Sequence, residues 1–175
     1  CCSAGKYHLM NTEMLSQSFR VRSLTVEDAD SVLRLWEGNP LYFAHCPPAP
    51  SRDGVLEDMR ALPPGKKMED KYYLGFFDGE KLAAVIDLID GYPEPSIAFI
   101  GFFMVDREYQ GHGTGSRIIQ EVLGALKKDG FTRARLGYVK GNPQSEAFWV
   151  KNGFEKTGVE AVRELYTVVC MEKTL

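Results

Sequence analysis

The sequence predicts an α/β domain in which a single mixed sheet is flanked by helices. Three observations lead there. Asp78-Gly79 joins two apolar strand-like runs as a tight hairpin turn. Beyond Val105 the apolar period changes to helical spacing at Ile118, Ile119, Val122, Leu123 and Leu126. That helix separates two further strand-like runs, so the sheet contains parallel as well as antiparallel pairs.

Each element follows from its residues. Phe19 to Leu24 alternates apolar and polar positions, the pattern of a half-buried strand. Thr25 and Asp28 form a T-x-x-D start for a helix with Ala29, Val32, Leu33 and Trp36 on its apolar face. Gly38-Asn39-Pro40 stops it, and Leu41 to Ser51, rich in proline and aromatics, reads as a loop. A second helix spans 52–62, halted by Pro63-Pro64-Gly65. Tyr72 to Phe77 and Lys81 to Ile89 form the hairpin. Ser96 to Val105 is apolar on both faces, which places it at the centre of the sheet. Gly115 to Lys128 is an amphipathic helix ended by Asp129-Gly130. Thr132 to Val139 is a strand, 146–152 a helix with Gly153 as its left-handed cap, and Leu165 to Met171 the last strand. The order is βααβββαβαβ.

A chain of 175 residues fits one domain. It buries roughly 70% of its unfolded surface without a metal or disulfide framework. With 21 Lys and Arg against 24 Asp and Glu, the formal charge is −3, which argues against a general nucleic-acid binder. No apolar run approaches the ~18 residues of a membrane span, and no secretory signal pattern is present. Residues 1–17 are read as a disordered tail or cloning remnant, with Met10 and Met14 as candidate starts. The domain proper is then 18–175. Cys46 follows His45, but no second pair stands at ligand spacing, so no metal site is expected. Cys170 reads as a buried small hydrophobe. The cysteine pattern suits a reduced, cytoplasmic protein; monomer and homodimer both remain open.

The chemistry lies between Val105 and Ser116. Gly111, Gly113 and Gly115 clear side chains from a loop that opens a helix. The helix points unpaired N–H groups and the positive end of its dipole at that loop, a site for phosphate or pyrophosphate. The spacing G-x-G-x-G is not the dinucleotide fingerprint, and no Gly-Lys-Ser/Thr of a nucleotide-hydrolysing loop follows.

The string Val105-x4-Gln110-x2-Gly113-x-Gly115 resembles the acetyl-CoA signature of the GNAT superfamily of N-acetyltransferases. Asn142, Phe148-Trp149 and Lys151-Asn152-Gly153-Phe154 resemble its second signature, N-x6-Y-x3-G-F, and the Phe19 to Asp30 opening is also similar. The resemblance implies two central parallel strands that splay apart, here those ending at Val105 and Val139, with acetyl-CoA as co-substrate in the gap. It further implies that backbone at Phe103, Met104 and Val105 binds the pantetheine. Gln110, Gly111, His112, Gly113, Thr114, Gly115 and Ser116 form the pyrophosphate loop, Asn142 holds the cofactor arm, and Trp149 packs against it. Asn142 is also a good helix N-cap.

The chain departs from relatives that acetylate protein amino termini. Trp149 stands where they carry a tyrosine acid, and Gly137 where they carry a glutamate base, so neither catalytic role carries over. Gly137 is read as room for a substrate. Replacement candidates are Asp87, Asp90, Tyr92, Glu94 and His45, while Tyr138 points to the face opposite Gly137. The expected acceptor rim is Leu41 to Ser51 with Gly91 to Ser96, where aromatics and carboxylates favour a small primary amine. The reading is an N-acetyltransferase acting by direct attack. The alternative is a non-catalytic acyl-CoA-binding sensor or adaptor, and a phosphate-binding adaptor stands third.

Overall fold

A computed structural model of the chain describes residues 10–175. Its elements are β1 (Arg20–Ser23), α1 (Ala29–Glu37), α2 (Pro40–His45), α3 (Arg52–Arg60), β2 (Lys71–Asp78), β3 (Lys81–Asp90), β4 (Ile97–Val105), α4 (Thr114–Lys128), β5 (Arg133–Val139), α5 (Pro143–Lys151), β6 (Glu155–Val162) and β7 (Thr167–Thr174). The seven strands form one sheet in the order β1-β2-β3-β4-β5-β7-β6. Among the described residues only the β4–β5 pair is parallel. No helix of the described residues is long and apolar enough to cross a membrane.

Local signals act as expected. Asp28 Oδ2 accepts from the Thr25 N–H at 2.9 Å, and a short 3-10 turn then leads into α1. Gly79 takes φ +60° in the turn that pairs Asp78 with Lys81, which a side chain would strain. Gly153 ends α5 with φ +93°.

Two apolar layers sandwich the sheet. One packs α4 and Trp149 of α5 on Phe76, Ala84, Ile86, Leu88 and Ile100. All five α4 residues of the predicted stripe are buried there. The other layer packs Ala29, Val32, Leu35 and Trp36 of α1 and Val55 of α3 on Tyr73, Val85 and Met104. In α1 the buried set includes Leu35, while Leu33 is only half-buried. β3 serves both layers by alternation: Ala84 and Ile86 face α4, Val85 faces α1.

Four expectations need correction. Residues 10–17 are not a tail. Met10 and Leu15 lie in the core, and Glu121 of α4 accepts from the Gln17 and Ser18 N–H groups at 2.8 and 3.2 Å. Cys1 and Cys2 lie outside the described residues. Second, the Pro40 stop is also a start, because proline needs no N–H donor at the first position of α2. Third, β6 escaped prediction. It is an edge strand exposed along nearly its whole length, so it carries no apolar alternation. Finally, Cys170 is half-buried rather than buried.

Candidate active site

The parallel pair is short. β4 and β5 are in register from Ile97↔Arg133 to Ile100↔Leu136 and then part. β4 runs on to Val105 with β3 on its other side, and β5 runs on to Val139 with β7. The cavity at this wedge, about 620 Å³, is lined by residues 101–105 of β4 and 136–139 of β5. Alternate backbone amides and carbonyls of each strand there face the gap instead of a neighbouring strand.

Parting is assisted by a bulge. Asp87 pairs with Phe102 but Leu88 pairs with Ile100, so Gly101 is the extra residue. Extra residues bend a strand, and this one sits where β4 leaves β5.

At the mouth, Asp106 accepts from the Glu108 N–H at 2.9 Å and shapes a 3-10 turn. Gly111 and Gly113 have φ +81° and +76°, which only glycine adopts freely. Gly113 is the residue before α4, and its carbonyl accepts from the Arg117 N–H at 3.0 Å. The N–H groups of Thr114, Gly115 and Ser116 precede that first helical bond and remain free to bind an anion. Gly115 has a different reason to be glycine: a Cβ would sit 3.2 Å from Phe148 and 3.3 Å from Val105.

Eleven of the twelve predicted cofactor residues border this cavity. The exception is His112, whose Nδ1 lies 2.8 Å from the Gln110 carbonyl and braces the loop. Gln110 donates from Nε2 to Val105 O at 2.7 Å and to Asn39 Oδ1 at 2.6 Å. The Val105 carbonyl is therefore already occupied within the protein. Asn39, which also donates to it at 3.3 Å, was not singled out by the sequence.

Asn142 caps α5, its Oδ1 accepting from the Ser145 N–H at 3.3 Å, and it also borders the cavity. Asn142→Ala should lower stability by about 1 kcal/mol, and Asn142→Asp should restore most of it in a thermal melt. A ligand role would show as weaker CoA binding in Asn142→Asp despite recovered stability. Trp149 is buried and packs edge-on against Phe148 and Phe154, with ring centroids 4.8 and 5.2 Å away. Gly137 borders the cavity, and a Cβ there would collide with Val168 of β7, which borders it too. Its missing side chain accommodates that valine.

The acceptor side differs from expectation in detail. Tyr42 and Cys46, four residues apart on α2 and its carboxyl-terminal cap, line the cavity, whereas His45 is exposed and does not. Tyr166, from the turn between β6 and β7, joins them. Sequence reasoning missed it because the preceding strand was itself unrecognised. Burial pushes the Cys46 thiol up, with the neighbouring Tyr42 and Tyr166 hydroxyls opposing. The turn 91–96 contributes nothing to the lining. It precedes Ile97, at the closed end of the parallel pair. Tyr92 there packs edge-on against Phe99 at 5.2 Å, and Glu94 pairs with Arg133 at 3.0 Å. Asp90 is buried and is not part of the cavity wall, while Tyr138 is buried but borders it. Among the described residues no three His, Cys, Asp or Glu are gathered closely enough to hold a metal ion.

The splayed pair and glycine-led helix define a class of protein that comparison with known families identifies. The sequence model described as the Acetyltransferase (GNAT) family matches residues 33–154, well over half of the chain, and the protein belongs to that family. It is thus an acyltransferase that draws its acyl group from an acyl-CoA. No curated protein is significantly similar to it in sequence. Among solved structures, an acetyltransferase from Thermus thermophilus superposes with a TM-score of 0.72 at 22% identity, covering 93% of this chain and 99% of that one. PaiA N-acetyltransferase from Thermoplasma acidophilum, in complex with coenzyme A, gives 0.64 at 20% identity over 91% and 100%. Ribosomal-protein-S18-alanine N-acetyltransferase from Escherichia coli gives 0.62 at 17% over 88% and 92%. At such identities the likeness establishes the fold alone.

Proposed function

We propose that the protein transfers the acetyl group of acetyl-CoA to a primary amine of a small molecule by direct attack. The observation that carries this reading is the wedge, opening on one side to the glycine loop and on the other to a chamber walled by Tyr42, Cys46, Phe102 and Tyr166. The loop N–H groups of α4 suit a pyrophosphate, and unpaired backbone of β4 suits the pantetheine amides and a developing oxyanion. Side chains from α2 and the β6–β7 turn converge over the acceptor end, which favours a compact acceptor over a long basic peptide. The half-buried free thiols of Cys46 and Cys170 suit a reducing cytoplasm.

The test is thiol release from acetyl-CoA with a panel of small amines and of amino-terminal peptides, alongside the thermal shift induced by CoA. Turnover with small amines supports the proposal. Turnover confined to peptides overturns the acceptor class. CoA binding with no turnover for any amine favours the non-catalytic acyl-CoA-binding reading, for which Trp149 in place of an ionisable acid is the supporting observation.

A further inference from the structure

Behind the acceptor chamber lies a buried charged group that packing does not require. Asp87 of β3 is 6% exposed and faces the α1 side of the sheet, with the parity of Val85. Its Oδ2 accepts from Lys71 Nζ at 2.9 Å, and that ammonium also donates to the Ala61 carbonyl at 2.7 Å. Oδ1 is buried with no hydrogen-bond partner among the described residues. A buried ion pair is often no more stabilising than a packed apolar pair, and an orphaned buried oxygen is a further cost.

The Asp87 carboxylate lies against Gly101. A Cβ on that residue would stand 2.6 Å from Oδ2. Gly101 is exposed, lines the cavity, and is the bulge residue where β4 parts from β5. Asp87 itself does not line the cavity, but the missing side chain lets its carboxylate lie directly behind the wall that Gly101 forms, at the depth where the splay begins. The groups around it are Lys71 and Tyr73 of β2 and Asp58 of α3, with Tyr42 of α2 beyond Asp58; β4 presents Gly101 and Phe102, which carry no charge. Tyr73 Oη donates to Asp58 Oδ2 at 2.7 Å, so Asp58 already has a partner.

Resting on the reading of the protein as an amine acetyltransferase, we propose that Asp87 is the base of the reaction, reached across the Cα of Gly101. Asp87 takes one proton from the acceptor ammonium on Oδ2, the oxygen against Gly101, through a water. The freed nitrogen lone pair forms the C–N bond while the C–S bond breaks. The nitrogen's surplus proton ends on the departing sulfur, and Asp87 returns its own to solvent. Burial raises the Asp87 carboxyl to about 6, with Lys71 opposing and Asp58 reinforcing the rise. It is thus ionised at neutral pH yet holds a proton more readily than a solvated carboxylate.

Carboxyl-carbon NMR on aspartate-labelled protein without substrates reads the first half of this. A resonance titrating near 6 should be present and should vanish in Asp87→Asn. The second half is the pH dependence of kcat/KM for an accepted amine. The wild type should lose rate below about pH 6, where the base becomes protonated. Asp87→Asn should lower kcat/KM roughly a hundredfold and lose that acidic limb. Lys71→Met removes the cation that holds the proton affinity down, so the limb should move to higher pH. Because Asp87→Asn leaves Lys71 buried alone, the double variant Lys71→Met, Asp87→Asn serves as its folded counterpart and should be equally slow. Aspartates that all titrate in the ordinary range, or an acidic limb that survives in Asp87→Asn, would overturn the assignment. Absence of turnover with every amine overturns the proposed function and the base with it. Turnover that ignores Asp87 overturns only the base.

Discussion

Gly113→Val should weaken CoA binding severely while leaving the domain folded. Gly113 has φ +76° and ψ 8°, immediately before the first residue of α4. A Cβ there would meet nothing within 4 Å, so the expected effect is backbone strain and not collision. For a β-branched residue the left-handed region costs about 1–3 kcal/mol. The exposed loop can relieve that strain by leaving the left-handed conformation. Doing so swings the Thr114, Gly115 and Ser116 N–H groups away from their common target. Affinity measured by titration calorimetry should fall by roughly 10- to 100-fold or more. The melting temperature should change little, since the strained segment can relax into solvent. Gly113→Asn is the matched control, because asparagine visits the left-handed region at small cost. Equal affinity in wild type and Gly113→Val would remove the loop from the binding site.

Trp149→Ala should be the most destabilising substitution in this region of the protein. The indole is 7% exposed and links α5 to the sheet through Phe103, whose ring centroid is 6.1 Å away, and to the chain after α5 through Phe154. Removing it should cost about 3–5 kcal/mol, the range for buried aromatic truncations. For a domain of this size that lowers the melting temperature by roughly 6–20 °C. Trp149→Phe keeps most of the apolar volume and should recover the larger part of the loss. A melting temperature unchanged in Trp149→Ala would show that α5 is held without it. In that case the packing role assigned to the indole falls, and a contact with the ligand becomes its reason for being there.

The parts of the site legible in the sequence are those encoded by neighbours along the chain. Glycines at alternate positions before an amphipathic helix announce a positive-φ loop and a bare helix start, and the structure has both at Gly111 and Gly113. Asn142 three residues before Ser145 is a local cap, and it acts as one. His45 misled because its residue type suggested chemistry, whereas Tyr42 and Cys46 are the side chains of that segment at the cavity. Gly137 does border the cavity, but what its missing side chain accommodates is not legible in the sequence. Val168 of another strand takes the space. The turn 91–96 lies at the opposite end of the parallel pair from the acceptor rim expected of it. Which end opens depends on the register of β4 against β5, and that is a contact between segments more than thirty residues apart.

By itself the sequence determined the mixed sheet, the helix that follows β4 and the glycine loop at its start. Each of these rests on backbone preference and short-range spacing, which act over a few residues and are written wherever they act. Tertiary structure alone decided where the parallel pair parts, that Tyr166 reaches the cavity beside Cys46, and that Asp87 is buried against Gly101 with Lys71 on one oxygen. These depend on strand order, a one-residue bulge and the exclusion of water. All three arise only when distant segments meet, because desolvation and close approach are properties of the assembled neighbourhood and not of any one residue in it.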